Sequence, residues 1–207
     1  MTSRGSRALW LATSLSAVLF ACPACTTVRP YYDYANEPDP RKQEFTLGPG
    51  DVLKINVWKN PDLSGEAAVR PDGTISLPLV GELKASGRSA RDLQGEIAQK
   101  LTTFLKDESG STVTVAVTTV NSYRFVVTGN VEHGGSFTVN HYVTVTEAMT
   151  MAGGPNRFAE PEEMVIIRPD PKQRAPKRIP IDYPAILNGS RPEENLALFA
   201  GDTLYVP

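Results

Sequence analysis

The stretch from Leu47 to Gly81 constrains the fold more than any other part of this 207-residue chain. It sets Gly48-Pro49-Gly50-Asp51 ahead of Val52-Leu53-Lys54-Ile55-Asn56-Val57, and Pro71-Asp72-Gly73 ahead of Thr74-Ile75-Ser76-Leu77. Glycine accepts a positive φ, proline fixes its own, and an aspartate carboxylate bonds to nearby backbone, so both clusters are turns. Alternation from Leu53 onward puts Leu53, Ile55 and Val57 on one face of a strand. Pro71-Asp72-Gly73 reads as a hairpin turn between strands at 66–70 and 74–77. Pro78 cannot donate to a ladder, so the second of these strands lies at an edge or ends there.

The rest of the chain alternates between helical and strand periods. Ser89 and Asp92 form a variant capping box ahead of Leu93, Ile97, Leu101 and Phe104 or Leu105, which predicts an amphipathic helix on a sheet, ended by residues 107–110. Residues 112–120 form a strand with Val113, Val115 and Val117 on one face. A second unit starts near Asn121, with a strand at 123–128, a turn through Gly129 to Gly135 and a return at 136–139. Thr144 and Glu147 cap a helix over 145–152, and Gly153-Gly154-Pro155 stops it. Residues 164–168 form a short buried strand. Residues 169–180 read as a polar loop, pairing resumes at 179–181, and 204–206 is the last strand. Gly50-Asp51-Val52-Leu53 is echoed by Gly201-Asp202-Thr203-Leu204, either two related turns before strands or two unrelated ones. The fold class is α+β, with small mixed sheets each packed by one helix.

Arg4 and Arg7 precede an apolar run over 8–20, followed by Ala21, Cys22, Pro23, Ala24 and Cys25. At ~20 residues needed to span a bilayer, this run fits a secretory leader over 1–21 rather than a membrane helix. Leu19-Phe20-Ala21-Cys22 looks like a lipobox, with Cys22 as the acylated residue and Cys25 as the alternative. Ordinary cleavage to a soluble product is the plainer reading. A Cys22–Cys25 redox pair would need a thiolate held in a folded domain, not a leader end. No cysteine follows residue 25, so the folded part has no disulfide. Several acyl chains, at ~0.8 kcal/mol per buried CH₂, would hold the chain durably on a membrane. Residues 22–44, with three tyrosines and four prolines, read as an extended tether, a solvated linker in the simpler account or one whose tyrosines pack on a partner or on the domain surface.

The leader carries two of the chain's 21 basic residues and none of its 23 acidic ones, so its removal leaves a balance of −4. That excludes a basic footprint for nucleic acid. No cofactor or metal site is expected: His133 and His141 have no cysteine or third histidine in register. Glu160, Glu162 and Glu163 sit too close in sequence to face each other across a glycosidase cleft. Ser64 has no nucleophile elbow around it. Lys172, Arg174, Lys177 and Arg178 either line a path for an anionic polymer or form a solvated loop. Trp58 either stacks on a sugar ring or packs on its own domain. An enzyme is therefore not expected.

The ordered motifs from Gly48 to Gly81, with Val126-Val127-Thr128-Gly129-Asn130-Val131, the Ala152-Gly153-Gly154 helix end and the leader, resemble the outer-membrane polysaccharide exporters, the Wza-like family. The resemblance implies a polysaccharide-export domain over 45–119 followed by a soluble-ligand-binding β-grasp (SLBB) domain over 121–207. It also implies a homo-oligomeric periplasmic ring that carries polysaccharide and couples to an inner-membrane co-polymerase. Pro23 after Cys22 suggests sorting to the outer membrane. Longer family members end in a membrane-spanning helix, whereas this sequence stops at Pro207, so a separate outer-membrane β-barrel is expected as a partner. A monomeric periplasmic glycan-binding lipoprotein is the alternative.

Overall fold

Two hydrophobic cores, joined within one compact unit over residues 32–207, organise the protein. The computed structural model describes residues 31–104, 113–170 and 173–207. The first core gathers Leu53, Ile55 and Val57 from β1 (Val52–Val57), which alternates buried and exposed as the sequence pattern requires. β1 is the centre of an antiparallel three-stranded sheet, flanked by β2 (Gly65–Ala68) and β5 (Val113–Thr119). β3 (Thr74–Leu77) and β4 (Gly81–Lys84) form a separate two-stranded sheet. α1 (Ala90–Thr102) buries Leu93, Ile97 and Leu101 against this core, and its Ser89–Asp92 capping box is fully formed. Phe104 stays about half exposed, so the buried stripe ends at Leu101. Leu105 and the expected helix end at 107–110 lie outside the described residues.

The Pro71-Asp72-Gly73 hairpin needs correction. The turn forms: Asp72 Oδ1 accepts Thr74 N–H at 2.9 Å, and Gly73 has φ +80°. Two backbone bonds, Gly73 N–H to Arg70 O at 2.8 Å and Arg70 N–H to Thr74 O at 2.9 Å, reach across it before the strands diverge. β2 pairs with β1, and β3 pairs with β4 through a turn at Pro78-Leu79. A turn fixes four residues; sheet membership is decided by the cores the strands bury.

The second core belongs to a five-stranded mixed sheet of β6 (Arg124–Gly129), β7 (Gly135–Thr138), β8 (Met164–Arg168), β9 (Lys177–Ile181) and β10 (Thr203–Val206), in the order β7-β6-β10-β8-β9. β10 runs parallel to β6, and the other neighbours are antiparallel. α2 (Val145–Met151) lays Val145, Ala148 and Met149 on the sheet and carries a complete Thr144–Glu147 capping box. α3 (Tyr183–Leu187), absent from the sequence expectation, starts at Asp182, whose side chain accepts Ala185 N–H at 2.9 Å. β9 also begins earlier than expected, so Lys177 and Arg178 are strand residues rather than loop.

The described part of the expected tether is not a solvated linker. Tyr32 and Tyr34 pack against the second core, and Pro40 is buried.

Candidate functional site

The two cores meet at Asp51, whose side chain has no exposed surface. The turn that begins at Gly48 wraps this carboxylate. Gly48 N–H donates to Oδ2 at 2.9 Å, and Gly50 takes φ +93° to bring the chain around. The remaining acceptor capacity goes to the second module's first residues. Asn121 N–H and Ser122 N–H both reach Oδ1 at 2.8 Å, and the Ser122 hydroxyl donates to Oδ2 at 2.7 Å. The Asn121 amide closes the loop by donating to Gly50 O at 2.8 Å. Gly48 is a close-approach glycine, since a Cβ there would sit 2.5 Å from Ser122 Cβ. Four donors on one carboxylate make a strong, local weld.

Asp202 repeats this device at the other Gly-Asp turn. Gly201 has φ +87°, and Asp202 Oδ2 accepts Phe199 N–H at 2.8 Å, three residues back, as Asp51 does with Gly48. Here the carboxylate binds an arginine instead of a linker: Arg168 Nε and a terminal nitrogen lie 2.8–3.2 Å from its oxygens. Burial pushes the Asp202 carboxyl above the usual aspartate range, with Arg168 opposing the shift. The other terminal nitrogen of Arg168 reaches Glu37 at 3.1 Å, and Lys177 pairs with the same glutamate. Phe199 lies under the guanidinium, 4.3 Å from its centre.

Beside the Asp51 weld the modules leave a cavity of about 290 Å³, lined by Phe45, Val117 and Val120 on one side and Tyr123, Asn140, His141 and Tyr142 on the other. It is largely apolar, with the Asn140 amide and the His141 imidazole, both exposed, supplying polar groups. Burial raises the Tyr142 hydroxyl above the usual tyrosine range. A second cavity of about 210 Å³ adjoins it and shares Phe45, Tyr123 and Tyr142.

The remaining candidate residues are structural or apart from this junction. Gly129 (φ +99°) lets β6 approach β10: a Cβ there would lie 2.0 Å from Val206 O. Gly153 and Gly154 both take positive φ and close α2, with Gly154 N–H donating to Met149 O at 2.9 Å. Pro49, inside the first Gly-Asp turn, and Pro71 shape turns only. The Ser64 hydroxyl accepts Val57 N–H at 2.9 Å and lies 3.0 Å from Asn60 O, so it caps β1 rather than facing a substrate. Among the described residues no group of three or more His, Cys, Asp or Glu is placed to hold a metal. Glu162 and Glu163 sit in a short turn at Pro161–Glu163. Trp58 is mostly exposed, and Arg174 is exposed. Cys22, Cys25 and Lys172 lie outside the described residues. Sequence reasoning missed Ser122, Arg168 and Glu37, whose partners are 71, 34 and 131 residues away.

Residues 39–118 match the family model described as polysaccharide biosynthesis/export protein, and residues 124–180 match the SLBB domain. The chain is 32% identical over 130 residues to the exopolysaccharide production protein ExoF of Rhizobium meliloti (strain 1021), covering 56% of this chain and 30% of ExoF. It is 26% identical over 187 residues to the EPS I polysaccharide export outer membrane protein EpsA of Ralstonia nicotianae, covering 78% and 47%. It is 25% identical over 164 residues to the polysialic acid transport protein KpsD of Escherichia coli, covering 79% and 28%. The chain thus spans about half or less of the curated relatives it matches. Their descriptions are of production, export and transport proteins. The two matches, export model then SLBB model, come in the order that the resemblance to the Wza-like polysaccharide exporters implies.

Proposed function

We propose that this chain is a subunit of an outer-membrane polysaccharide export apparatus, lipid-anchored through Cys22 (alternatively Cys25) and facing the periplasm. In this reading 1–21 is the leader, 45–119 the export domain and 121–207 the SLBB domain. Copies assemble into a homo-oligomeric ring through which the polymer passes. The carrying observation is the match to both domain models, in order, on modules that one buried aspartate joins. A closed ring needs a head-to-tail contact. β5 supports one: among the described residues its outer edge has no strand partner, and Val113–Thr119 carries no charge to discourage pairing.

The partners in this reading are an inner-membrane co-polymerase and a separate outer-membrane β-barrel. Relatives named as outer membrane export proteins motivate that location, while among the described residues no helix is long and apolar enough to cross a membrane. Deletion of the gene tests the reading: polymer should vanish from the surface and collect in the periplasm. Wild type should restore export and Cys22→Ala should not. Unchanged surface polymer in a strain with no second copy would overturn it.

The cavity at the module junction favours one other reading, a monomeric periplasmic glycan-binding lipoprotein. Tyr142 and Phe45 offer rings for a sugar face, and Asn140 and His141 offer polar partners beside them. A monomer in detergent at micromolar concentration that binds short oligosaccharides would favour it over the ring.

A further inference from the structure

The segment leading into the first module runs over the second module before it gets there. It starts on the second: Tyr32 and Tyr34 pack against that core, and the Tyr34 hydroxyl donates to Pro180 O at 2.6 Å. Pro180 belongs to β9, the outermost strand of the five-stranded sheet, so Tyr34 covers part of an edge. Glu37 follows with its side chain 3% exposed, held by Arg168 at 3.1 Å, by Lys177 and by the Tyr32 hydroxyl. Pro38 and Pro40 restrict the backbone beyond it, and Asp39 closes a short turn by accepting Arg41 N–H at 3.0 Å. By Thr46 and Leu47 the chain is on the first module: Thr46 bridges Ser89, and Leu47 N–H donates to Arg88 O at 2.8 Å.

Burying a carboxylate is costly unless it is paired, and a linker that merely spans a gap has no reason to bury one. Glu37 is paired twice, and the arginine that holds it is fixed in turn by Asp202. The hydrogen-bonded joint that links the modules directly is the Asp51 weld, confined to residues 48–51 and 121–122. The 290 Å³ cavity lies beside that joint, so part of the space between the modules is not filled by side chains.

We propose that residues 32–47 are a clasp that fixes the angle between the two modules, with Glu37 as its latch on Arg168 and Lys177. The Asp51 weld is the hinge, the clasp is the second point of attachment, and two points make the pair of modules behave as one body. A pull on the N-terminal side is then carried by the second module's β8–β10 ionic cluster before it reaches the export domain.

The test measures a distance between the modules in the full-length chain. Spin labels go at Thr102 in α1 and Thr150 in α2, both exposed, with Cys22 and Cys25 changed to serine. The parent chain should give one narrow distance distribution. Glu37→Gln should broaden it and speed amide exchange over 32–37 by about tenfold, the scale of losing one charge-assisted bond. Lys177→Met, which removes the more exposed of the two cations, should broaden it less, and this variant serves if Glu37→Gln does not fold. Asp33→Ala, at an exposed position on the same segment, should leave the distribution narrow. A Glu37→Gln chain with fast exchange at 32–37 and an unchanged distribution would overturn the clasp. Unchanged exchange would overturn the latch.

Discussion

Asp51 and Ser122 are 71 residues apart, yet one carboxylate takes both the backbone N–H and the hydroxyl of Ser122, at 2.8 and 2.7 Å. This contact turns a surface turn into a joint between two hydrophobic cores. The aspartate has no exposed surface, so water cannot replace a lost acceptor cheaply.

Asp51→Ala would leave three backbone N–H groups and one hydroxyl without their acceptor. A loss of about 2–4 kcal/mol is expected, from several buried donors at ~1 kcal/mol each or somewhat more. Denaturant unfolding should show the shift. It should also separate into two transitions if the modules lose their coupling, as multi-domain chains do. A midpoint within error of wild type would mean the joint carries no stability.

Two glycines should respond in opposite directions. Gly129→Ala places a Cβ 2.0 Å from Val206 O at φ +99°, so β6 and β10 must separate. A cost of about 3 kcal/mol or more is expected, combining backbone strain with lost ladder bonds. Gly95 lies in α1 with open space around its Cβ position and no positive φ, so Gly95→Ala should stabilise by about 0.5–1 kcal/mol. Thermal unfolding of the two variants side by side reads both signs. A destabilised Gly95→Ala chain would contradict the open surface assigned to that face of α1.

These local features were legible because their signals are local. Both capping boxes, Ser89–Asp92 and Thr144–Glu147, are four-residue patterns that form wherever the following residues coil. The alternation through β1 found its buried face correctly, since period 2 depends only on the strand itself. β2 and β3 were not legible as members of different sheets, because the Pro71-Asp72-Gly73 turn looks the same whether or not its flanks pair. α3 did carry a signal: Asp182 caps it and Pro184 sits in its first turn, the usual opening of a short helix. Glu37 carried none. Among Pro38, Asp39 and Pro40 it has the composition of a linker, and its burial depends on Arg168, 131 residues away. The candidate site was therefore half visible: its two Gly-Asp turns stood out, and their partners did not.

The pH dependence of stability should contain opposing carboxylate contributions. Burial raises Asp202 above the ordinary aspartate value of 3.8, so the folded state holds that proton more tightly than the unfolded chain. Its contribution is fully present below the ordinary value and falls as pH rises through the folded one. Glu147 and Glu96 run the other way. The Thr144 N–H holds the first, and Arg88 the second, below the usual glutamate value of 4.5. Their contributions are present above that value and are lost as pH falls through the folded ones. The unfolding midpoint of wild type relative to that of Asp202→Asn, compared across pH 3–7, should fall as pH rises, because only the wild type carries the declining Asp202 contribution. A constant gap would show that Asp202 keeps an ordinary affinity for its proton.

Tyr123→Phe isolates a single hydroxyl at the heart of the second module. Tyr123 is 2% exposed, and its oxygen donates to Leu198 O while accepting Val143 N–H, both at 3.1 Å. It therefore joins the segment before α2 to the segment before the Gly201-Asp202 turn. Leu198 N–H also donates to Val143 O at 2.9 Å, so those two segments are already in contact and cannot move apart to take up water. Phenylalanine keeps the ring and its edge contact with Tyr142, 5.0 Å between centres, and so creates no large cavity. What remains is one buried N–H and one C=O without the partner they had. The expected cost is about 1–3 kcal/mol, the penalty for orphaned buried polar groups. Because the Tyr142 ring should stay put, oligosaccharide or partner binding at the adjoining cavity should survive in Tyr123→Phe and fall in Tyr142→Ala. Unfolding curves give the first quantity and titration calorimetry the second. A Tyr123→Phe protein as stable as wild type would mean that water reaches these groups and that the junction is looser than its burial implies.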